Sequence, residues 1–210
     1  MKTHRANRLI DIELTPDSRP LPSDVAALIV DANQRIESLQ DNSRAAMPAF
    51  VPSNFEVVYR ALSGVHSANL TTGRRFLEWG SGIGVITCLA TQLDFDSIGI
   101  EIEQPLVDIA NQLAESHSID AQFACGSFVP HAAEVHLESP DDFAWMTTDA
   151  PSAYEDLGLE PDDFDLIFAY PWPGEEQVIF DLFANHGATG ALLLTYHGME
   201  GVRLQRKVRN

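Results

Sequence analysis

Cysteine is scarce in this sequence. Cys88 and Cys125 are the only two among 210 residues, too few for a disulfide framework or a zinc cluster. Cys88 falls on the apolar face of an expected helix and reads as core. Long hydrophobic runs are missing too. No stretch of about 18 apolar residues occurs, so no membrane-spanning helix is expected. The opening Met1-Lys2-Thr3-His4-Arg5 is basic but leads into no apolar signal core, and a cytoplasmic protein is expected. Positive charge is the third shortage: 13 Lys and Arg stand against 31 Asp and Glu, a formal net charge of −18. That balance argues against a nucleic-acid partner held through phosphates and allows steering of a basic one. The cations that exist crowd the two ends, at Arg5, Arg8 and Arg19 and at Arg203, Arg206, Lys207 and Arg209. His131 and His136 have no third ligand at a diagnostic spacing, so no metal site is expected. No Ser/His or Cys/His nucleophilic arrangement and no internal repeat is visible.

What is present is organised around Phe76-Leu77-Glu78-Trp79-Gly80-Ser81-Gly82-Ile83-Gly84. A short apolar run ends at an acid, glycines then alternate with other residues, and Val85 to Leu93 follows with apolar residues at helical spacing. Strand, tight turn and helix in this order open a nucleotide-type site at the carboxyl end of a strand. The glycines let the backbone turn sharply and approach a ligand, and the helix N-terminus is expected to offer N–H groups to it. A dinucleotide fingerprint is spaced G-x-G-x-x-G; here the third glycine, Gly84, comes one place early and Val85 stands where that pattern wants glycine. The Glu78 carboxylate would repel a pyrophosphate and suits a ligand with a cationic end.

With its acid followed by x-Gly-x-Gly-x-Gly, the stretch resembles motif I of the class I methyltransferases that use S-adenosylmethionine (SAM). Glu78, Gly80, Gly82 and Gly84 fill that pattern, and the likeness extends over roughly residues 74–197. It implies a Rossmann-like three-layer α/β fold with a mostly parallel central sheet, with SAM as cofactor. Trp79 and Ser81 lie inside the loop and are expected beside the cofactor. The 13 residues after residue 197 leave little room for the family's terminal hairpin. The sheet is therefore expected to be truncated at its C-terminal edge, or covered there by N-terminal helices.

Taken in order, residues 1–22 carry Pro16, Pro20 and Pro22 without periodicity and read as an extended arm. Ser23 is the expected cap of a helix over 24–40. Ser53-Asn54-Phe55-Glu56 reads as a capping box, with Ser53 as N-cap, opening a second helix. Residues 1–73 are thus an arm and helices packed on a SAM-binding unit of residues 74–210, together one structural unit. Further strands are expected at 97–103, 121–128, 164–170 and 191–196, with helices after Pro105 and over 174–186 and a last edge strand over 201–208. Strands alternating with helices imply right-handed crossovers and a parallel sheet. Residues 130–163 are acidic, proline-bearing and weakly periodic, consistent with one helix and a long loop.

Glu101 closes the strand after motif I, 23 residues beyond Glu78. It is either a solvated strand-end carboxylate or an acceptor for a ribose diol; the resemblance implies the second, with Ile102 beside it. The next strand ends Cys125-Gly126-Ser127-Phe128. The family commonly has an acid here near the adenine amino group; this chain offers Gly126, Ser127 as a hydrogen-bonding substitute, and Phe128, either stacked on the base or in the core. The fourth strand runs into Ala169-Tyr170-Pro171-Trp172-Pro173. This matches the last two places of the Asp/Asn-Pro-Pro-aromatic motif of amino-group methylases, with Ala169 replacing the acid or amide. Tyr170 and Trp172 are the expected acceptor-side residues, holding a sulfonium or an amine against their ring faces; the other reading is an aromatic lid over core. Glu175 and Glu176 are placed to help an acceptor lose its proton. Phe50-Val51-Pro52-Ser53 is similar to the segment ahead of motif I in a branch of protein-lysine methyltransferases, a likeness that would set 50–54 at the cofactor mouth. The expected activity is methyl transfer from SAM to a nitrogen or oxygen acceptor on a basic protein segment or a small molecule. The alternatives are a SAM-fold binding or regulatory protein without catalysis and a nicotinamide dehydrogenase.

Overall fold

The computed structural model describes residues 7–42, 51–130, 133, 150–172 and 174–209. Seven strands form one sheet: β1 (Asn7–Asp11), β2 (Arg75–Trp79), β3 (Asp96–Glu101), β4 (Gln122–Cys125), β5 (Leu166–Ala169), β6 (Leu192–Tyr196) and β7 (Val202–Arg209). Their spatial order is β1-β7-β6-β5-β2-β3-β4. The run from β6 to β4 is parallel throughout. Helices α1 (Ser23–Asn42), α2 (Phe55–Ser67), α3 (Val85–Thr91), α4 (Gln104–Ser116), α5 (Ala153–Leu157) and α6 (Glu176–His186) cover it.

Both faces of the sheet are buried, as a parallel sheet requires. Phe76, Leu166, Phe168, Leu192 and Leu194 point into one core with α1, α2, α3 and α4. Leu77, Trp79, Ile100, Ile167 and Leu193 point into the other with α5 and α6. Alternating side chains therefore serve opposite layers, and the three-layer Rossmann-like reading holds.

The edge of the sheet is built differently from the expectation. β7 is a single strand antiparallel to β6, with Leu194 opposite Leu204. It is an inner strand, because β1 pairs antiparallel along its outer side from Asn7↔Arg209 to Asp11↔Gln205. Part of the arm read as extended is thus the edge strand, and the Arg203 guanidinium meets the Asp11 carboxylate across it at 2.8 Å. Covering by strand pairing, not by helices, satisfies the backbone groups of β7. The arm continues over α2, where Ser63 Oγ donates to Asp17 Oδ2 at 2.7 Å and Arg60 Nη1 donates to the Asp17 and Arg19 carbonyls.

The helix starts also shift. Ala26 N–H bonds to the Pro22 carbonyl at 3.0 Å, so Ser23 lies inside α1 and is not its cap. In α2 the cap is Asn54, not Ser53: its side chain accepts from Val57 N–H at 3.2 Å. Asparagine ranks with serine as a cap, and with Asn54 in that place Glu56 falls one position short of a capping box and pairs with Arg60 at 2.8 Å instead. Among the described residues of 130–163 are α5 and a 3-10 turn at Pro161–Asp163. Among the described residues no helix is long and apolar enough to cross a membrane.

Candidate functional site at the carboxyl ends of the parallel strands

β2 pairs with β3 on one side and β5 on the other, so the order of strands reverses at β2. Crevices at such a reversal, beyond the carboxyl ends, are where open α/β sheets bind ligands. The Gly80–Gly84 loop sits there. Gly80, Gly82 and Gly84 have φ of 72°, 53° and 77°, a left-handed backbone that side-chain-bearing residues rarely adopt. A methyl group added at Gly80 would meet open space, whereas one at Gly84 would strike the Phe123 ring and Ala110 Cβ. Gly80 therefore leaves room above the loop, and Gly84 lets α3 close on α4 and β4.

The loop spends its own N–H groups on the protein. Gly80 N–H and Ser81 N–H both reach the Ile100 carbonyl at 2.9 Å, and Gly84 N–H reaches the Ser81 carbonyl at 2.8 Å. Gly82 N–H donates to Glu101 Oε2 at 2.8 Å. Of the helix N-terminal N–H groups expected to face a ligand, that of Thr87 is spent on Glu78 Oε2. The Ser81 side chain is buried, close to Gly99.

Glu78 is only 4% exposed. Its Oε2 accepts from Thr87 N–H at 2.8 Å and from Thr87 Oγ1 at 2.6 Å. The residue at the N-cap of α3 is Gly84, which has no side chain to cap with. Glu78 supplies the missing acceptor from the neighbouring strand, one turn below the loop. Burial pushes its pKa up to about 8, against the opposing bonds from Thr87, and the nearby Glu101 carboxylate raises it further. Its charge is therefore not freely displayed to a ligand at neutral pH, which weakens the simple repulsion argument made from sequence.

Glu101, also buried, ends β3. Besides Gly82 N–H, it accepts from Ile102 N–H at 2.8 Å and Glu103 N–H at 3.1 Å on Oε1. Burial raises its pKa and these backbone donors oppose the rise. The hydrogen-bond partners of both carboxylates are amides and one threonine; none is a basic side chain. Ile102, half-buried, follows at the rim.

Beyond β4, Gly126 N–H holds the Glu101 carbonyl at 2.9 Å and Ser127 forms a parallel bridge with Ser152. Ser127 Oγ already accepts from Val129 N–H at 3.1 Å. Phe128 is half-buried and stacks on the Trp79 indole, 5.5 Å between centroids at 14°. Trp79 Nε1 donates to the Tyr154 hydroxyl at 2.8 Å. One ring face of Phe128 is thus taken by protein. Sequence reasoning missed Tyr154, which lies in the segment with no readable period, and Thr87, whose only signal was a hydroxyl three residues past a glycine N-cap.

The end of β5 lies next to the end of β2. Trp79 is paired with Ala169, so the residues after Ala169 stand beside the glycine loop. Tyr170 is half-buried and meets Tyr196 edge-on, centroids 4.9 Å apart at 70°. Trp172 N–H donates to Glu175 Oε2 at 3.1 Å. His197, not singled out from sequence, ends β6 on the α6 side with Nε2 2.7 Å from Thr195 Oγ1, and burial lowers its pKa. Pro173 lies outside the described residues, as do Phe50, His131 and His136. Among the described residues no three His, Cys, Asp or Glu side chains are grouped as metal ligands.

This architecture is the Rossmann-like fold of methyltransferases. An RNA methyltransferase from Salinibacter ruber, solved with S-adenosyl-L-homocysteine, matches with a TM-score of 0.52 at 16% identity, covering 76% of this chain and 95% of that one. A methyltransferase from Geobacter sulfurreducens matches with a TM-score of 0.54 at 10% identity, covering 90% of this chain and 92% of that one. At these identities the likeness is one of fold. No family model matches the sequence, and no curated protein does. Neither of the two matched structures is described as a protein-lysine methyltransferase, so the Phe-Val-Pro likeness carries no further argument.

Proposed function

We propose that the protein binds SAM at the Gly80–Gly84 loop and transfers its methyl group to a nitrogen or oxygen acceptor on a basic protein segment or a small molecule. The observation that carries this reading is the polarity of the cradle. The Gly80, Ser81, Gly82 and Gly84 amides are turned onto protein acceptors, and two buried carboxylates, Glu78 and Glu101, have no basic side chain among their partners. Those four amides are withdrawn from a pyrophosphate, and Glu101 keeps acceptor lone pairs for hydroxyls. A nicotinamide dinucleotide fits this cradle poorly; a cationic nucleoside with a ribose diol fits it well.

In this reading Glu101 holds the ribose hydroxyls, and Ile102, Gly126, Ser127 and Phe128 border the adenine. Trp79, Gly80, Ser81, Gly82 and Gly84 form the floor, and Glu78 fixes that floor to α3. When bound, SAM supplies an electrophilic methyl on a sulfonium. Tyr170 and Trp172 border the acceptor, and the enzyme's contribution is alignment and exclusion of water, effects worth up to about 7–11 kcal/mol. The net charge of −18 disfavours an acceptor held by its phosphates.

One observation favours a second reading, a SAM-binding protein without transfer. Ala169 is buried and apolar where amino-group methylases carry an acid or amide. Calorimetric titration with S-adenosylhomocysteine and with NADH tests the ligand class; binding of NADH alone would refute the proposal. Tight SAM binding with no radiolabel transferred to lysate proteins or metabolites would leave the second reading in place.

A further inference from the structure

Glu175 is a buried carboxylate with half of its hydrogen-bonding capacity unused. It is 6% exposed, and its Oε1 is buried without a hydrogen-bond partner. Its Oε2 accepts from Trp172 N–H at 3.1 Å, which ties the carboxylate to the Tyr170–Trp172 turn. That turn leaves the sheet at Ala169, the residue paired with Trp79 at the foot of the glycine loop. Removing a carboxylate oxygen from water without a partner is costly, and among the described residues none supplies one: α6, which begins at the next residue, takes no side-chain cap bond from Glu175.

We propose that Glu175 receives a cationic amine: Oε1 binds the ammonium of the acceptor and takes its proton. This rests on the SAM-dependent reading above and narrows the acceptor to a primary or secondary amine. In the step, an N–H bond of the ammonium breaks and its electron pair stays on nitrogen as the nucleophilic lone pair. An O–H bond forms at Oε1, and the proton later passes to solvent. Burial raises the Glu175 pKa, with Glu176 adding to the rise and Trp172 N–H opposing it, which brings the carboxyl closer to the basicity such a transfer needs. Tyr170, half-buried in the same turn, would supply a ring face to the same cation, and the protein's negative charge favours its approach.

The test uses the full chain, loaded with S-adenosylhomocysteine, and n-butylammonium against 1-butanol as probes, with affinities from NMR titration. The wild type is expected to prefer the ammonium by about tenfold, a difference of ~1.4 kcal/mol. Glu175→Gln should bring the two probes within about twofold while keeping the affinity for S-adenosylhomocysteine. Glu175→Asp, which keeps the charge, should retain part of the preference, an outcome that a loss of folding would not mimic. Equal affinities in the wild type, or an undiminished preference in Glu175→Gln, would overturn the assignment of Glu175 alone. Failure to bind S-adenosylhomocysteine at all would overturn the function proposal and this one with it.

Discussion

Glu78→Gln tests the physical account of the site most directly. In the folded chain the carboxyl has a pKa of about 8, against 4.5 for an ordinary glutamate, because it is buried and its bonds to Thr87 only partly offset the loss of water. The sign follows from linkage. A group whose pKa is higher in the fold than in the unfolded chain favours folding when protonated. Its contribution is complete below about pH 4.5 and is lost as pH rises through about 8. Within that window stability should fall by up to about 1.4 kcal/mol per pH unit, on the order of 4–5 kcal/mol in all. Glutamine has the same shape, cannot ionise, and still presents an oxygen to Thr87 N–H. Urea unfolding of both proteins at pH 5.5, 6.5 and 7.5 separates the effect. Titrating groups remote from Glu78, and the repulsion among the surplus surface acids, act on both chains and cancel in the difference. Stability of the wild type relative to Glu78→Gln is expected to decline steadily with pH. Parallel pH profiles would refute the reasoning, because they would mean that Glu78 ionises as readily in the fold as in the unfolded chain.

Further outcomes follow from neighbouring contacts. Gly84→Ala combines a φ of 77° with a methyl placed 2.8 Å from Ala110 Cβ; a loss of about 2–4 kcal/mol is expected in thermal or urea unfolding. In Glu101→Gln the amide turns an N–H₂ toward the Gly82, Ile102 or Glu103 donors, and calorimetry should give a Kd for S-adenosylhomocysteine raised by at least about tenfold. Trp79→Phe leaves the buried Tyr154 hydroxyl without its indole partner and should cost about 1–3 kcal/mol, measurable by urea unfolding followed by circular dichroism.

The parts of the molecule that local pattern specifies were readable from sequence. β2 through β6 are short apolar runs, the glycine loop is a contiguous motif, and α4 and α6 carry regular apolar stripes. Each is decided within about a dozen residues. What was not readable depends on partners far along the chain. Asn7–Asp11 has only Leu9 and Ile10 as apolar residues and becomes a strand because β7, nearly 200 residues away, offers it an edge. Asn54 takes the cap of α2 from Ser53 through a one-residue shift that composition cannot resolve, since both residues are good caps. The aim of Glu78 was hidden for a related reason. An acid before a glycine loop invites a ligand contact, but Gly84 cannot cap α3 and Thr87 N–H lies within reach. The segment that supplies Tyr154 has no period from which to place it.

Glu78 and Glu101 belong to neighbouring strands, and they secure the same loop from opposite ends. Glu78 ties the start of α3 to β2 through Thr87. Glu101 ties Gly82 to β3. Between these anchors the loop backbone holds three left-handed glycines, and its Gly80, Ser81, Gly82 and Gly84 amides are already bonded. Ordering of the loop is therefore met during folding and is not charged against a ligand, which is the advantage of a preorganised site. The same bonds set its selectivity: each amide turned inward is a donor withdrawn from any phosphate, and Glu101 is an acceptor kept beside the loop. Stability of the loop and preference for a donor-rich cation thus have one cause, so a substitution that releases the amides should weaken the fold and relax the choice of ligand together.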